Sequence, residues 1–148
     1  MRCAIALLSG LCACSGLRTY PTVPGGNLSV RPRLEAGVAA ALHVHRLDAQ
    51  CRVEYLGTVK LDEAPLTLDL PAGQASYLVV TFDTSSFFAG SRSTSAAALL
   101  NPRAGLRYEL DVRYREDIYD LALAEADPRR GQRRVLPRRD LDACRPRP

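Results

Sequence analysis

The sequence predicts an all-β protein, an antiparallel β-sandwich of about seven strands that is immunoglobulin-like or transthyretin-like in type. Three observations carry this expectation. Apolar and polar residues alternate with a period of two through much of the chain after Leu34. Turn residues punctuate that alternation about every 10–15 residues. No convincing amphipathic helix lies between the alternating runs.

The runs are taken in chain order. Val38, Ala40, Leu42 and Val44 alternate with Ala39, Ala41, His43 and His45, although this segment is rich enough in Ala to form a helix instead. Cys51, Val53, Tyr55, Gly57, Val59 and Leu61 share one face of a second strand, which places Cys51 inward. Leu66, Leu68 and Leu70 alternate with Thr67 and Asp69, and Ser76–Thr81 reads as a buried strand continued by Phe82. In the clearest strand, Leu106, Tyr108, Leu110, Val112 and Tyr114 oppose the charged set Arg107, Glu109, Asp111, Arg113 and Arg115. Tyr119, Leu121 and Leu123 form the last. Turns fall at Asp62–Pro65, Pro71–Gly73 and Asn101–Gly105. An immunoglobulin domain proper would carry a Trp between two Cys, and the chain has no Trp.

At 148 residues the length fits one domain, large enough to bury a core without a metal. Aromatics are only 6%, so that core must be built mostly from Leu, Val and Ala. Net charge is +4, yet Lys60 is the one Lys among 20 basic residues. Such a preference for Arg, beside much Ala, is what a GC-rich genome gives, so the charge alone does not specify an anionic partner.

Met1–Ala13 has the parts of a secretory signal peptide: Arg2 as the positive start and Ala4–Leu11 as an apolar run too short to span a bilayer. A buried N-terminal helix is the alternative. The stretch Leu11-Cys12-Ala13-Cys14 resembles the bacterial lipobox. The resemblance implies that the Cys14 thiol is alkylated by a diacylglycerol, that the peptide before it is cut, and that the new amine is acylated. Cys12 is the alternative acceptor. Several acyl chains make such an anchor stable. Ser15, rather than Asp, implies sorting to the outer membrane, with the periplasmic side expected. Residues 14–33, with Pro21, Pro24, Gly25, Gly26 and Pro32, read as a lipidated tether. Fully extended, a stretch of that length reaches on the order of 60 Å. Residues 34–148 are then the β-sandwich domain with an Arg-rich C-terminal tail.

Of five Cys, Cys3 and Cys12 leave with the leader and Cys14 is lipidated. Cys51 and Cys144 remain, an even pair in an oxidising compartment, and a disulfide between them is expected. It would close a loop on the order of 95 residues, for which the chain-entropy model gives roughly 4–5 kcal/mol. Two unconnected thiols are the alternative. A metal site is disfavoured, since there is no CxxC and no neighbouring His.

The layout as a whole resembles small, largely uncharacterised proteobacterial periplasmic lipoproteins with a lipobox, a proline-rich tether and a β-sandwich. The turn Gly105-Leu106-Arg107-Tyr108 is part of that likeness. It implies no activity.

Candidate chemistry is sparse. His43 and His45, the two histidines, project to one face of a strand and could supply two metal ligands, but a catalytic zinc needs a third. A solvated pair is the plainer reading, and no cofactor is expected. Glu116, Asp117 and Asp120 fall at a hairpin, where carboxylates commonly just stay in water. Ser85, Ser86 and Ser91–Ser95 offer hydroxyls without a nucleophile elbow. Phe87 and Phe88, flanked by Ser and Gly in a loop, cannot both face one core, and they are the candidate interaction residues. The tail from Arg129 to Arg147 could touch lipid headgroups or cell-wall polymers, or simply remain solvated. The expected role is a monomeric, lipid-anchored envelope binding or accessory module, not an enzyme, whose partner is an envelope protein or a cell-wall component and not nucleic acid. The alternative is a periplasmic inhibitor of a hydrolase such as lysozyme, inserting the loop near Phe87.

Overall fold

The computed structural model describes residues 18–86 and 90–146. In order, the strands are β1 (Leu28–Leu34), β2 (Val38–Leu47), β3 (Val53–Leu61), β4 (Leu66–Leu68), β5 (Ser76–Ser86), β6 (Gly90–Leu100), β7 (Arg107–Arg115), β8 (Ile118–Asp127) and β9 (Gln132–Leu136). One turn of 3₁₀ helix, Leu141–Ala143, is the only helical element among the described residues. The strands form two packed sheets, a five-stranded one ordered β4-β1-β7-β8-β9 and a four-stranded one ordered β3-β2-β5-β6. The alternation thus builds the sandwich it predicts. Among the described residues nine strands stand where about seven are expected, and the pairing is not wholly antiparallel: β1 runs parallel to β7, from Leu28 opposite Tyr108 to Leu34 opposite Tyr114.

The core lies between the sheets. The four-stranded sheet contributes Leu42, Val44, Leu78, Val80 and Phe82, and the five-stranded sheet contributes Leu28, Val30, Tyr108, Leu110 and Val112, all fully buried. Each side chain of this size adds roughly 1.5–3 kcal/mol by leaving water. Leu and Val supply most of the volume, as a chain poor in aromatics requires.

The segment expected to be a tether is largely part of the fold. Leu28 and Val30 alternate with Ser29 and Arg31 and fill the centre of the five-stranded sheet. Pro32 sits beyond the end of β4, where β1 keeps only one neighbour, a place a strand tolerates a missing donor. Before β1 the chain stitches the two sheets together along one edge. Thr19 bridges Thr58 of β3, and Thr22 bridges Leu68 of β4. Between them Tyr20 turns into the core, only 8% exposed, and its hydroxyl donates to the Asp69 carbonyl at 2.7 Å. The expected leader Met1–Ala13 and the expected acceptor Cys14 lie outside the described residues.

Two further strands come from segments that lack an apolar alternation. β6 opens on Gly-Ser-Arg-Ser-Thr-Ser, and it is held as a strand by its full-length pairing to β5. β9 lies in the Arg-rich tail. Arg133 pairs with Glu109 and Arg134 with Glu125, both at 3.0 Å, so this part of the tail is an edge strand whose side chains stay exposed.

In β3 the strict alternation breaks. Val44 is opposite Gly57 and His45 opposite Tyr55, which leaves Leu56 as an extra residue, a β-bulge. Gly57, Val59 and Leu61 face inward, whereas Val53 and Tyr55 are exposed. Cys51 is not on an inward strand face. It sits in the turn before β3 with a positive φ of 63°.

Candidate functional site

Hairpin chemistry shapes one end of the sandwich. β7 and β8 are joined by Glu116 and Asp117 alone, with φ of 53° and 60°. Two consecutive left-handed residues make the type of turn whose twist suits a hairpin, and Asp tolerates that conformation better than most residues. The acidic hairpin expected from the sequence is therefore present, but its carboxylates diverge. Asp117 accepts a hydrogen bond from the Tyr114 hydroxyl at 3.0 Å. Glu116 contacts the Arg115 guanidinium, and Asp120 lies in register with Arg113 on β7. The β1–β2 turn ties in as well: the Glu35 carboxylate accepts from the Glu116 backbone N–H at 3.0 Å, and the Glu35 N–H donates to the Tyr114 carbonyl.

Between this hairpin and the β5–β6 hairpin lies a cleft of about 340 Å³. Its aromatic part is built on Phe82, whose ring has Tyr114 at 5.3 Å and Tyr119 stacked at 5.7 Å. Tyr119 is 38% exposed, whereas Phe82 and Tyr114 are buried, so of the three rings it is the one presented to solvent. Thr84, Arg92, Ser93, Thr94 and Asp117 complete the lining. Burial, and then the hydrogen bond to Asp117, push the Tyr114 hydroxyl's pKa up, so the phenol stays protonated and keeps its proton for donation. The cleft thus offers an aromatic face, one cation, one carboxylate and several hydroxyls within a volume suited to a small ligand or a protruding side chain. Asp117 is the one carboxylate of the lining, and it is engaged by the Tyr114 hydroxyl. Sequence reading missed Thr84, Arg92 and Tyr114 as a group. Two of them sit on strands that meet only because β6 is a strand.

The other sequence candidates lie elsewhere. His43 and His45 are on the outer face of the four-stranded sheet. Both ring nitrogens of His43 are engaged, Nδ1 with Thr58 Oγ1 at 2.7 Å and Nε2 with Thr81 Oγ1 at 3.2 Å. His45 approaches the Tyr77 carbonyl and lies between the Tyr55 and Tyr77 rings. The structure thus makes these residues cross-strand partners in the sheet face. Among the described residues no group of three His, Cys, Asp or Glu side chains could hold a metal ion. Phe87 and Phe88 fall between β5 and β6, outside the described residues.

Cys51 and Cys144 are at disulfide distance, with Cα atoms 5.9 Å apart and 93 positions separating them. The segment leading to Cys144 pairs with the edge of β6 through the Leu99 N–H and the Arg139 carbonyl. It then crosses to the β2–β3 turn, so the pair pins a strap over the end of the sandwich opposite the cleft.

A second polar cluster supports the fold. The Tyr108 hydroxyl accepts the Arg103 backbone N–H at 2.9 Å and donates to Glu125 at 3.2 Å. Glu125, 11% exposed, also receives the Arg103 and Arg134 guanidiniums. The Arg103 hydrogen bond is the main reason its carboxyl lies below the usual carboxylate range. The Gly-x-x-Tyr turn of the sequence is thereby a corner lock on the loop before β7.

Compared with protein-family models, with curated proteins and with solved structures, the chain gives no match.

Proposed function

We propose that the chain is a lipid-anchored binding module of the bacterial envelope, without catalytic activity, that engages its partner through the cleft between the two hairpins. The observation that carries this reading is the part-exposed Tyr119 ring set among Arg92, Asp117 and Thr84, an aromatic, cationic and hydroxyl-bearing surface suited to recognition. The disulfide-distance pair Cys51–Cys144 supports an oxidising compartment. The Leu11–Cys14 resemblance supports attachment through Cys14, and Ser15 supports the outer membrane. The partner on this reading is an envelope protein or a cell-wall component.

The test is photocross-linking in intact cells from a reactive side chain placed at Ser93, with Cys14→Ser as the control. Capture of one or two envelope components by the lipidated form alone supports the reading. Capture of a secreted hydrolase would turn it toward an inhibitor. Equal capture by the Cys14→Ser form would remove the anchor from the function.

A further inference from the structure

The stretch of chain between the expected anchor and the folded domain is much shorter than the sequence suggests. The main chain is already docked at Arg18, whose carbonyl accepts the Thr58 N–H at 2.8 Å, and at Tyr20, whose N–H donates to the Thr58 carbonyl at 2.9 Å. Val23 continues the docking through its N–H to the Thr67 carbonyl at 2.9 Å. Only Ser15, Gly16 and Leu17 lie between Cys14 and this docked segment. Four Cα steps span at most about 14 Å. The headgroup layer above the acyl chains takes up about 5–8 Å of that span.

We infer that the edge of the sandwich formed by Arg18–Val23 with β3 and β4 rests against the bilayer surface, and that the cleft, at one end of the sandwich and away from that edge, stays clear of it. This rests on the anchor reading above. The surface is suited to an interface. Val23 is 38% exposed and Tyr55 36%, and the Tyr55 hydroxyl donates to the Arg18 carbonyl at 3.2 Å, so this edge carries an amphipathic ring beside an arginine and, further along, an exposed apolar side chain. β3 and β4 are the terminal strands on one side of their sheets, and β6 and β9 are terminal on the other. Arg92 and Tyr119 belong to β6 and β8, on the side remote from the anchor.

The chain contains no Trp, so a single introduced Trp reports its own surroundings. The lipidated protein, carrying Val23→Trp, Thr22→Trp or Ser95→Trp, would be incorporated into vesicles of phosphatidylcholine and phosphatidylglycerol with a minority of brominated lipid. Fluorescence and vesicle flotation would both be measured. The expected result is a several-fold greater loss of fluorescence at position 22 or 23 than at Ser95. Equal quenching at all three positions, in protein that floats with the vesicles, would overturn the orientation and leave the anchor standing. Protein that fails to float, like its Cys14→Ser form, would overturn both.

Discussion

Gly57 of β3 backs directly onto the main chain of Tyr20: a Cβ at position 57 would lie 2.7 Å from the Tyr20 nitrogen and 3.0 Å from the Arg18 carbonyl oxygen. Both neighbours are backbone atoms held by hydrogen bonds to Thr58, so neither can rotate away. Gly57→Ala must therefore lift the N-terminal segment from the edge. The expected cost is about 1–3 kcal/mol, read as a lowered denaturation midpoint, together with new proteolytic cleavage between residues 18 and 24.

Tyr108→Phe removes one oxygen that serves both the Arg103 N–H and Glu125. A loss of about 1–2 kcal/mol is expected, since partners are left short of a hydrogen bond in a partly buried place. Equilibrium urea unfolding checks it. An unchanged midpoint would mean that water replaces the phenol without cost.

Stability should decline with acid in two steps. Burial first, and the neighbouring His45 second, lower the His43 pKa below its ordinary 6.5. The unfolded chain then takes up the proton more readily than the folded one, so stability declines as pH falls below about 6.5. Glu109 and Glu125 are depressed below 4.5, chiefly by Arg133 and Arg103 respectively. Their contribution is complete above 4.5 and is lost as pH falls through their folded values. His43→Gln should flatten the first decline and leave the second, which a series of urea midpoints against pH would show.

Replacing both Cys51 and Cys144 by Ser should lower stability by up to roughly 4–5 kcal/mol, the chain-entropy value for a loop of this size. Far-ultraviolet circular dichroism at low temperature should keep its β signature, because the pair joins a turn to a strap and neither cysteine is in a strand. The strap itself should become open to protease near Arg139.

Arg92→Ala should leave stability within about 0.5 kcal/mol, as for most exposed positions away from caps and cores, while lowering the yield of partner cross-linked from Ser93. Undiminished yield would remove Arg92 from recognition.

These positions differ in how plainly the sequence announces them. β7 is legible because its two faces meet opposite environments, Leu110 and Val112 in the core and Arg113 in water. β1 has the same alternation, but Pro32 and the Pro-Gly run before it mask the signal, since proline in a central strand ordinarily argues against one. β6 and β9 are strands by partnership: Ser91–Ser95 is paired residue by residue with β5, and Arg133 and Arg134 find Glu109 and Glu125 only after β7 and β8 exist. Local sequence carries no trace of such partners. The cleft shares this dependence, as Arg92 and Asp117 come to line one cleft only once both sheets are in place. The Cys51–Cys144 pair is open to simple counting, whereas the place of Cys51 is not: Asp48 accepts the N–H groups of Gln50, Cys51 and Arg52 and holds Cys51 in a turn before β3 begins.

The parallel ladder between β1 and β7 sets an order of assembly. Leu28–Leu34 finds its long-range neighbour only in Arg107–Arg115, so a chain delivered from its N-terminus must carry the first strand unpaired on that side while most of the protein emerges. The four-stranded sheet has no such delay, because β2 with β3 and β5 with β6 are consecutive pairs. The five-stranded sheet cannot close before β7 is available, nor the Cys51–Cys144 strap before residue 144 is, so the non-local ladder places a topological delay on one sheet and not on the other.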